Sequence, residues 1–166
     1  MNERAVDLAV IGSGPGGYAA ALAAARRGLS VGLIEREQVG GVCLNIGCIP
    51  TKALLSVSHL VRRIRQADRL GIRVQGCEID YPAVVARSQR IVNTLRDGLT
   101  DLLRREGVER VEGTAAFATP HQLVVTAGKQ SQAIHAQRIV VATGAHPIAG
   151  PWAFDEQHIR SYRGLL

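Results

Sequence analysis

Two cysteines five positions apart are the residues of this chain best suited to chemistry. Cys43 and Cys48 lie in the run GGVCLNIGCIPTK, residues 40–52. A thiol pair can form a redox disulfide, bind a metal or lie inert in a core. Zinc sites usually combine two close pairs, whereas this run holds one pair with no histidine close behind it. The spacing therefore favours redox chemistry over a metal site, and two inert buried cysteines stay open as an alternative.

The spacing also sets a condition on the backbone between the cysteines. In a regular helix, side chains five residues apart point about 140° away from each other, and a disulfide needs them close together. If the two bond, the chain must bend between them, and we expect the bend at Gly47. Cys48 precedes Pro50 at the predicted start of a long helix, whose positive N-terminal end favours a thiolate. Lys52, one turn later, can add positive charge or contact a cofactor.

A glycine-rich turn near the N-terminus is a second candidate site. The run GSGPGG follows an apolar, strand-like segment and precedes an alanine-rich, helical one. Gly12, Gly14 and Gly17 match the pattern G-x-G-x-x-G, in which glycines permit a tight turn, approach to a pyrophosphate and close helix packing. The pyrophosphate would lie at the helix N-terminus. A glycine-rich turn without a ligand is the alternative, and the pattern does not distinguish FAD from NAD.

Two further features extend this pattern across a sheet. Glu35 ends a second apolar run, where a carboxylate accepts hydrogen bonds from ribose hydroxyls and repels a 2′-phosphate. The run RIVVATGA, residues 138–145, is typical of a buried strand, and Thr143 and Gly144 let the chain turn tightly against a flat ligand. Both features belong to the sheet that begins with the glycine motif.

Periodicity predicts the elements that carry these motifs. Apolar runs predict buried strands at 6–11, 30–35 and 138–143. Helical spacing predicts helices over 16–27, 49–70 and 81–105, the last with Asp80 as N-cap. A period of two predicts short strands at 108–112, 115–118, 122–126 and 133–135. The predicted fold class is α/β: a Rossmann-like domain with a parallel sheet, long helices and a small antiparallel β-meander.

Composition and charge argue against several functional classes. The net charge of +6 is spread over helical segments, and aromatic residues make up only 4% of the chain. A platform that stacks single-stranded nucleic acid needs more aromatic side chains, so we expect no nucleic-acid partner. The N-terminus does not look like a signal peptide, and three cysteines fit redox chemistry in a reducing compartment. We expect a cytoplasmic protein without a membrane partner or a metal site.

Taken together, the motifs resemble the pyridine nucleotide-disulfide oxidoreductases. The resemblance covers GSGPGG, IER, GGVCLNIGCIPTKALL and VVATGAHP, and so nearly the whole chain. The cysteine run is most similar to that of dihydrolipoyl dehydrogenases, and mercuric and glutathione reductases have similar segments. The resemblance implies an enzyme that passes electrons from a small dithiol or a lipoyl domain through a disulfide and FAD to NAD. The alternatives are another reductase of the family and a non-catalytic FAD-binding remnant.

The resemblance also implies roles for individual residues. Cys43 and Cys48 would form the redox disulfide, Cys43 exchanging with the substrate and Cys48 contacting the flavin. Lys52 would contact the flavin as well. The remaining FAD-binding residues implied by the resemblance are Gly12, Gly14, Gly17, Glu35, Gly41, Ala115, Thr143 and Gly144.

The resemblance further implies how the chain divides. Residues 1–150 would form the FAD-binding domain with the redox disulfide, and residues 151–166 a tail leading towards an NAD-binding domain. Relatives are much longer homodimers, and a C-terminal domain of the partner subunit supplies a histidine–glutamate acid–base pair. None of the five histidines here has a matching context. We therefore expect the nicotinamide site and the acid–base pair to be missing, as in a fragment, a truncated product or a separately encoded half.

Overall fold

The fold was described from a computed structural model, which covers residues 2–148 and 150–165. The strands are β1 (Asn2–Ile11), β2 (Val31–Glu35), β3 (Glu109–Glu112), β4 (Thr114–Thr119), β5 (Gln122–Ala127) and β6 (Gln130–Val141). The helices are α1 (Pro15–Ala25), α2 (Gly41–Ile46), α3 (Cys48–Arg65), α4 (Tyr81–Arg105) and α5 (Tyr162–Leu165), with a 3₁₀ turn at Ala67–Leu70. The six strands form one sheet in the order β3-β2-β1-β6-β5-β4.

The sheet is parallel in one half and antiparallel in the other. β1 pairs in parallel with β2 and β6, β2 pairs in parallel with β3, and β5 is antiparallel to both β4 and β6. β4 and β5 also contact β2 and β3, so the antiparallel half curls over the parallel half. The predicted α/β class is confirmed, with the β-meander joined to the parallel strands in a single sheet.

β6 joins the two halves and corrects the sequence prediction. We expected two strands, at 133–135 and 138–143, and the structure has one strand, Gln130–Val141. Nothing between them breaks the strand, because Ala136 and Gln137 are neither glycine nor proline, and Ala136 N–H donates to the carbonyl of His121 at 2.9 Å. β1 is also longer than predicted, and its first half pairs with the first half of β6.

Side chains that alternate along the strands fill two apolar layers. Leu8 and Val10 of β1 belong to a cluster with α1, β2 and the end of α4. Ala9, which points to the other face, belongs to a cluster with Leu123 of β5 and Ile134 of β6. Both faces of β1 are therefore buried, which explains its nearly continuous apolar sequence. This burial holds the carboxyl ends of β1, β2 and β6 at one edge of the sheet.

The two long helices pack against each other and remain largely exposed on their outer sides. Asp80 is the N-cap of α4, as predicted, since its Oδ1 accepts the N–H of Ala83 at 3.0 Å. The helix predicted over 49–70 begins at Cys48 and ends at Arg65, and a 3₁₀ turn follows it. Not every apolar residue at helical spacing on α4 is buried, since Val85 and Leu95 are exposed.

One helical run is long and apolar enough to cross a membrane by length and composition alone. It covers Gly41–Arg65, within which an 18-residue window has a mean hydropathy of 1.3. One such run is weak evidence, since helices of soluble proteins pass the same test. This run is interrupted at Gly47, and α3 packs on α4. The expected absence of a membrane partner and the cytoplasmic location stay predictions.

The contact between α1 and β1 generates a test of the fold. A Cβ on Gly17 would collide with the backbone carbonyl of Gly12, whereas a Cβ on Gly16 would meet no atom within 4 Å. We expect Gly17→Ala to lower the free energy of unfolding by about 1–3 kcal/mol, as overpacking does. Gly16→Ala should leave it unchanged or raise it by up to about 1 kcal/mol, the helix propensity gained. Urea unfolding of both variants measures the difference, and equal effects would contradict the packing described here.

Candidate functional site

The turns that follow three parallel strands meet at one edge of the sheet. Gly12 follows β1, Glu35 ends β2, and Thr143 lies two residues after β6. A Cβ on Gly12 would collide with the carbonyl of Ala142 and lie 3.2 Å from the Cα of Thr143. The first and last of these turns are therefore in direct contact. Thr143 and Gly144 are exposed at this edge, as a cofactor-lining segment needs to be.

Glu35 is buried and its carboxylate is held by the glycine turn. Glu35 Oε2 accepts the Ser13 N–H at 2.9 Å and the Ser13 hydroxyl at 2.6 Å, and Oε1 accepts the Glu37 N–H at 2.8 Å. Burial raises the pKa of Glu35, but the hydrogen bonds from Ser13 and the backbone outweigh it, so the pKa lies below its ordinary value. The carboxylate is therefore ionised at neutral pH. Oε1 accepts only one of these bonds and can accept another from a ligand.

Sequence reasoning missed Ser13. Its side chain is fully buried, and besides Glu35 it reaches the cysteine segment, since Gly40 N–H donates to the Ser13 carbonyl at 3.1 Å and to its hydroxyl at 3.3 Å. The signal in the sequence was the one hydroxyl residue inside the glycine run. Ser13 therefore joins the glycine turn, the end of β2 and the start of the cysteine segment.

Ala115 is brought towards the same edge by the turn between β3 and β4. Gly113 N–H donates to the Glu35 carbonyl at 3.0 Å, and a Cβ on Gly113 would lie 2.7 Å from the carbonyl oxygen of Thr126. Ala115 follows two residues later, half-buried, with Val125 as its strand partner. The structure therefore places the start of β4, and with it Ala115, beside the end of β2.

Cys43 and Cys48 form a disulfide, with their Cα atoms 4.6 Å apart. The expected bend lies at Gly47, whose φ of −140° and ψ of −107° end α2 and precede α3. A Cβ on Gly47 would come within 2.9 Å of the Val42 carbonyl oxygen. Any larger residue would therefore force the two helices apart. The short helix α2 was not predicted, because the sequence indicated only that the chain bends before the long helix.

The disulfide is accessible from the surface. Cys43 is half-buried, and Cys48 is exposed at the start of α3. Lys52, one turn along, is exposed and makes no ion pair with any residue that the structure describes. The third cysteine, Cys77, is exposed and is not part of a disulfide. Among the residues that the structure describes, one disulfide and the unpaired side chain of Lys52 therefore lie at the same helix end.

The cysteine segment begins directly against the glycine turn. A Cβ on Gly41 would lie 2.8 Å from the Cα of Gly14. Gly41 has a positive φ of 60°, which glycine adopts without strain. The two motifs, 27 positions apart at Gly14 and Gly41, therefore form one site.

The residues present fit a dinucleotide at this edge. Gly14 has an ordinary φ of −64°, and a Cβ placed on it would meet no protein atom within 4 Å. Protein packing therefore does not explain glycine there, whereas a ligand lying against the backbone does. No side chain caps α1, which leaves its first N–H groups available to an anion.

The sequence matches known proteins over most of its length. The profile of the family described as pyridine nucleotide-disulphide oxidoreductase matches residues 6–161. A dihydrolipoyl dehydrogenase of Chlamydia muridarum is 46% identical over 161 residues, which are 96% of this chain and 34% of that protein. A dihydrolipoyl dehydrogenase of Bacillus subtilis is 37% identical over 97% of this chain and 36% of that protein. The chain thus spans about a third of the length of these relatives.

A solved structure supports the same relationship. The Cu(II) complex of the HOCl-induced flavoprotein disulfide reductase RclA from Escherichia coli matches with a TM-score of 0.73 and 29% identity. The match covers 95% of this chain and 32% of that one. Since the family profile covers more than half of the sequence and the fold agrees, this chain belongs to the pyridine nucleotide-disulphide oxidoreductase family.

Proposed function

We propose that this chain is the FAD-binding, disulfide-bearing part of a dihydrolipoyl dehydrogenase-like enzyme. The observation that carries the proposal is the contact of the cysteine segment with the glycine turn, where Gly41 lies against Gly14. A redox disulfide can exchange electrons with a flavin only if the two lie side by side. This contact joins the predicted cofactor site to the segment that carries the disulfide. The family and its dihydrolipoyl dehydrogenase and flavoprotein relatives use FAD.

Each group at the site has a part in holding this cofactor. Glu35 accepts hydrogen bonds from the adenosine ribose, and the glycine turn with the N-terminus of α1 binds the pyrophosphate. Lys52 contacts the flavin, because it is an exposed cation one turn from Cys48. The other proposed contacts are backbone surfaces: Gly12, Gly14, Gly17, Gly41, Ala115, Thr143 and Gly144.

The cysteines carry out thiol–disulfide exchange with a dithiol. One substrate thiolate attacks Cys43 Sγ, which breaks the disulfide and releases Cys48 as a thiolate. The second substrate thiol then displaces Cys43, so that the substrate leaves as a disulfide and the chain keeps two electrons as a dithiol. Bound FAD supplies the acceptor for those electrons. The N-terminus of α3 stabilises the Cys48 thiolate by its dipole.

The complete enzyme would pass these electrons to NAD. We propose dihydrolipoamide or a lipoyl domain as the dithiol substrate, a cytoplasmic location and a homodimer, following the dihydrolipoyl dehydrogenase relatives. Residues 1–150 would be the FAD-binding domain, and residues 151–166 the tail towards the NAD-binding domain.

The roles of the two cysteines can be tested by absorbance. The purified chain should be yellow, or turn yellow with added FAD, and partial reduction should give a long-wavelength band from a Cys48 thiolate beside the flavin. We expect Cys48→Ser to abolish that band and Cys43→Ser to keep it. Cys77→Ser, which alters the exposed third cysteine, is the matched control and should behave like the unaltered chain. If the purified chain binds no FAD, the proposal is wrong.

The role of Glu35 can be tested by comparing two flavins. FMN lacks the adenosine ribose, so a carboxylate that binds this ribose matters for FAD alone. Because a hydrogen bond to a charged group contributes about 1.5–3 kcal/mol, we expect Glu35→Gln to weaken FAD binding roughly 10-fold or more and to leave FMN binding unchanged. Fluorescence titration measures both affinities.

The control for this comparison is Glu37→Gln, which removes an exposed neighbouring carboxylate. It should leave both flavin affinities as they are. An equal loss of FAD and FMN binding in Glu35→Gln would mean that Glu35 only supports the glycine turn.

A further inference from the structure

We infer that Asn45 is a positioning residue that keeps Cys43 beside Cys48 after the disulfide has been reduced. The inference rests on the proposed redox role of the cysteine pair, but not on flavin binding. Asn45 lies between the two cysteines in the chain.

Beyond its start, where Gly40 N–H bonds to Ser13, the helix that carries Cys43 is held by few hydrogen bonds to other segments. α2 has six residues, none of them buried, and no side chain caps its N-terminus. A helix this short is not stable by its own hydrogen bonds. Gly47 separates it from α3, so the regular backbone bonds of α3 do not continue into it. Besides the peptide chain through Gly47, the disulfide is the covalent link between α2 and α3, and reduction removes this link.

Asn45 ties α2 to two other segments. Its Nδ2 donates to the carbonyl of Val39, in the preceding loop, at 3.0 Å and to that of Gly41, within α2, at 2.9 Å. Its Oδ1 accepts from Arg96 Nη1 of α4 at 3.3 Å. Arg96 is itself fixed by a bond of 2.8 Å to Asn93 Oδ1. In the part of the chain that the structure describes, no other side chain of α2 makes a hydrogen bond.

These bonds do not involve sulfur and therefore survive reduction. With Asn45 present, the dithiol keeps its two thiols close and reoxidises readily. Without it, α2 is free to leave α3 in the dithiol state, which gains conformational entropy. The equilibrium between disulfide and dithiol then shifts towards the dithiol, compared with the unaltered chain. Removing Asn45 should therefore make the disulfide easier to reduce.

The test is the thiol–disulfide equilibrium of the purified chain with glutathione and without added flavin. In this reaction the dithiol gives two electrons and two protons to one glutathione disulfide, which leaves as two glutathione thiols. We expect Asn45→Ala to lower the equilibrium constant for disulfide formation roughly 5- to 10-fold, the scale of one or two net hydrogen bonds. Asn45→Asp keeps the shape and the acceptor facing Arg96 but cannot donate, and should lower the constant at least as much.

Arg104→Met is the matched control, because Arg104 lies on the same helix and donates to Asp101 Oδ1 at 3.1 Å, outside the network of Asn45, Arg96 and Asn93. It should leave the constant unchanged. A purely structural role of Asn45 would lower the urea stability of oxidised and reduced chains equally and would not move the constant. Constants within twofold of the unaltered chain for both Asn45 variants would therefore overturn the inference.

Arg96→Met covers the case in which the Asn45 variants do not fold. It removes the bond to Asn45 Oδ1 and keeps the length of the side chain. We expect a smaller shift in the same direction, and a constant equal to that of Arg104→Met would contradict the inference. Because no flavin is added, failure of FAD binding would leave this result intact, and a null result here would leave the flavin proposal intact.

Discussion

The close packing of backbone at the turn after β1 is the constraint on which the rest of the site depends. Gly17 fits against the Gly12 carbonyl, and Gly12 fits against the turn after β6. Gly41 fits against Gly14. In each case the space that a side chain would occupy is filled by another segment's backbone. The sheet edge, the helix α1 and the cysteine segment therefore approach one another backbone to backbone at these glycines.

The disulfide depends on this packing in turn. A six-residue helix with no buried residue does not hold a position by itself. The position of α2 is determined by hydrogen bonds of Gly40 to Ser13, and of Asn45 to the preceding loop and to Arg96. The bend at Gly47 then brings the cysteines together. The pair is therefore placed by tertiary contacts, and the position of Cys48 at the start of α3 favours the thiolate form of that cysteine.

Sequence reasoning succeeded where a local physical rule decides the structure. The bend at Gly47 follows from the spacing of the cysteines, and Asp80 caps α4 because its side chain reaches the first free N–H groups. Sequence reasoning failed where contacts with residues distant in the chain determine the structure. The continuity of β6 depends on its pairing with β1 and β5, and the bond between Asn45 and Arg96 spans 51 positions. No periodicity within a short window contains that information.

The hydrogen bonds within the glycine turn also limit where an anion can bind. Gly12 N–H donates to the Ile34 carbonyl at 2.8 Å, Ser13 N–H donates to Glu35, and Pro15 has no N–H. In the part of the chain that the structure describes, the N–H groups left at this turn are those of Gly14 and the first turn of α1. These groups lie beside the segment that begins at Gly41. A diphosphate held there would lie next to the segment that carries the disulfide.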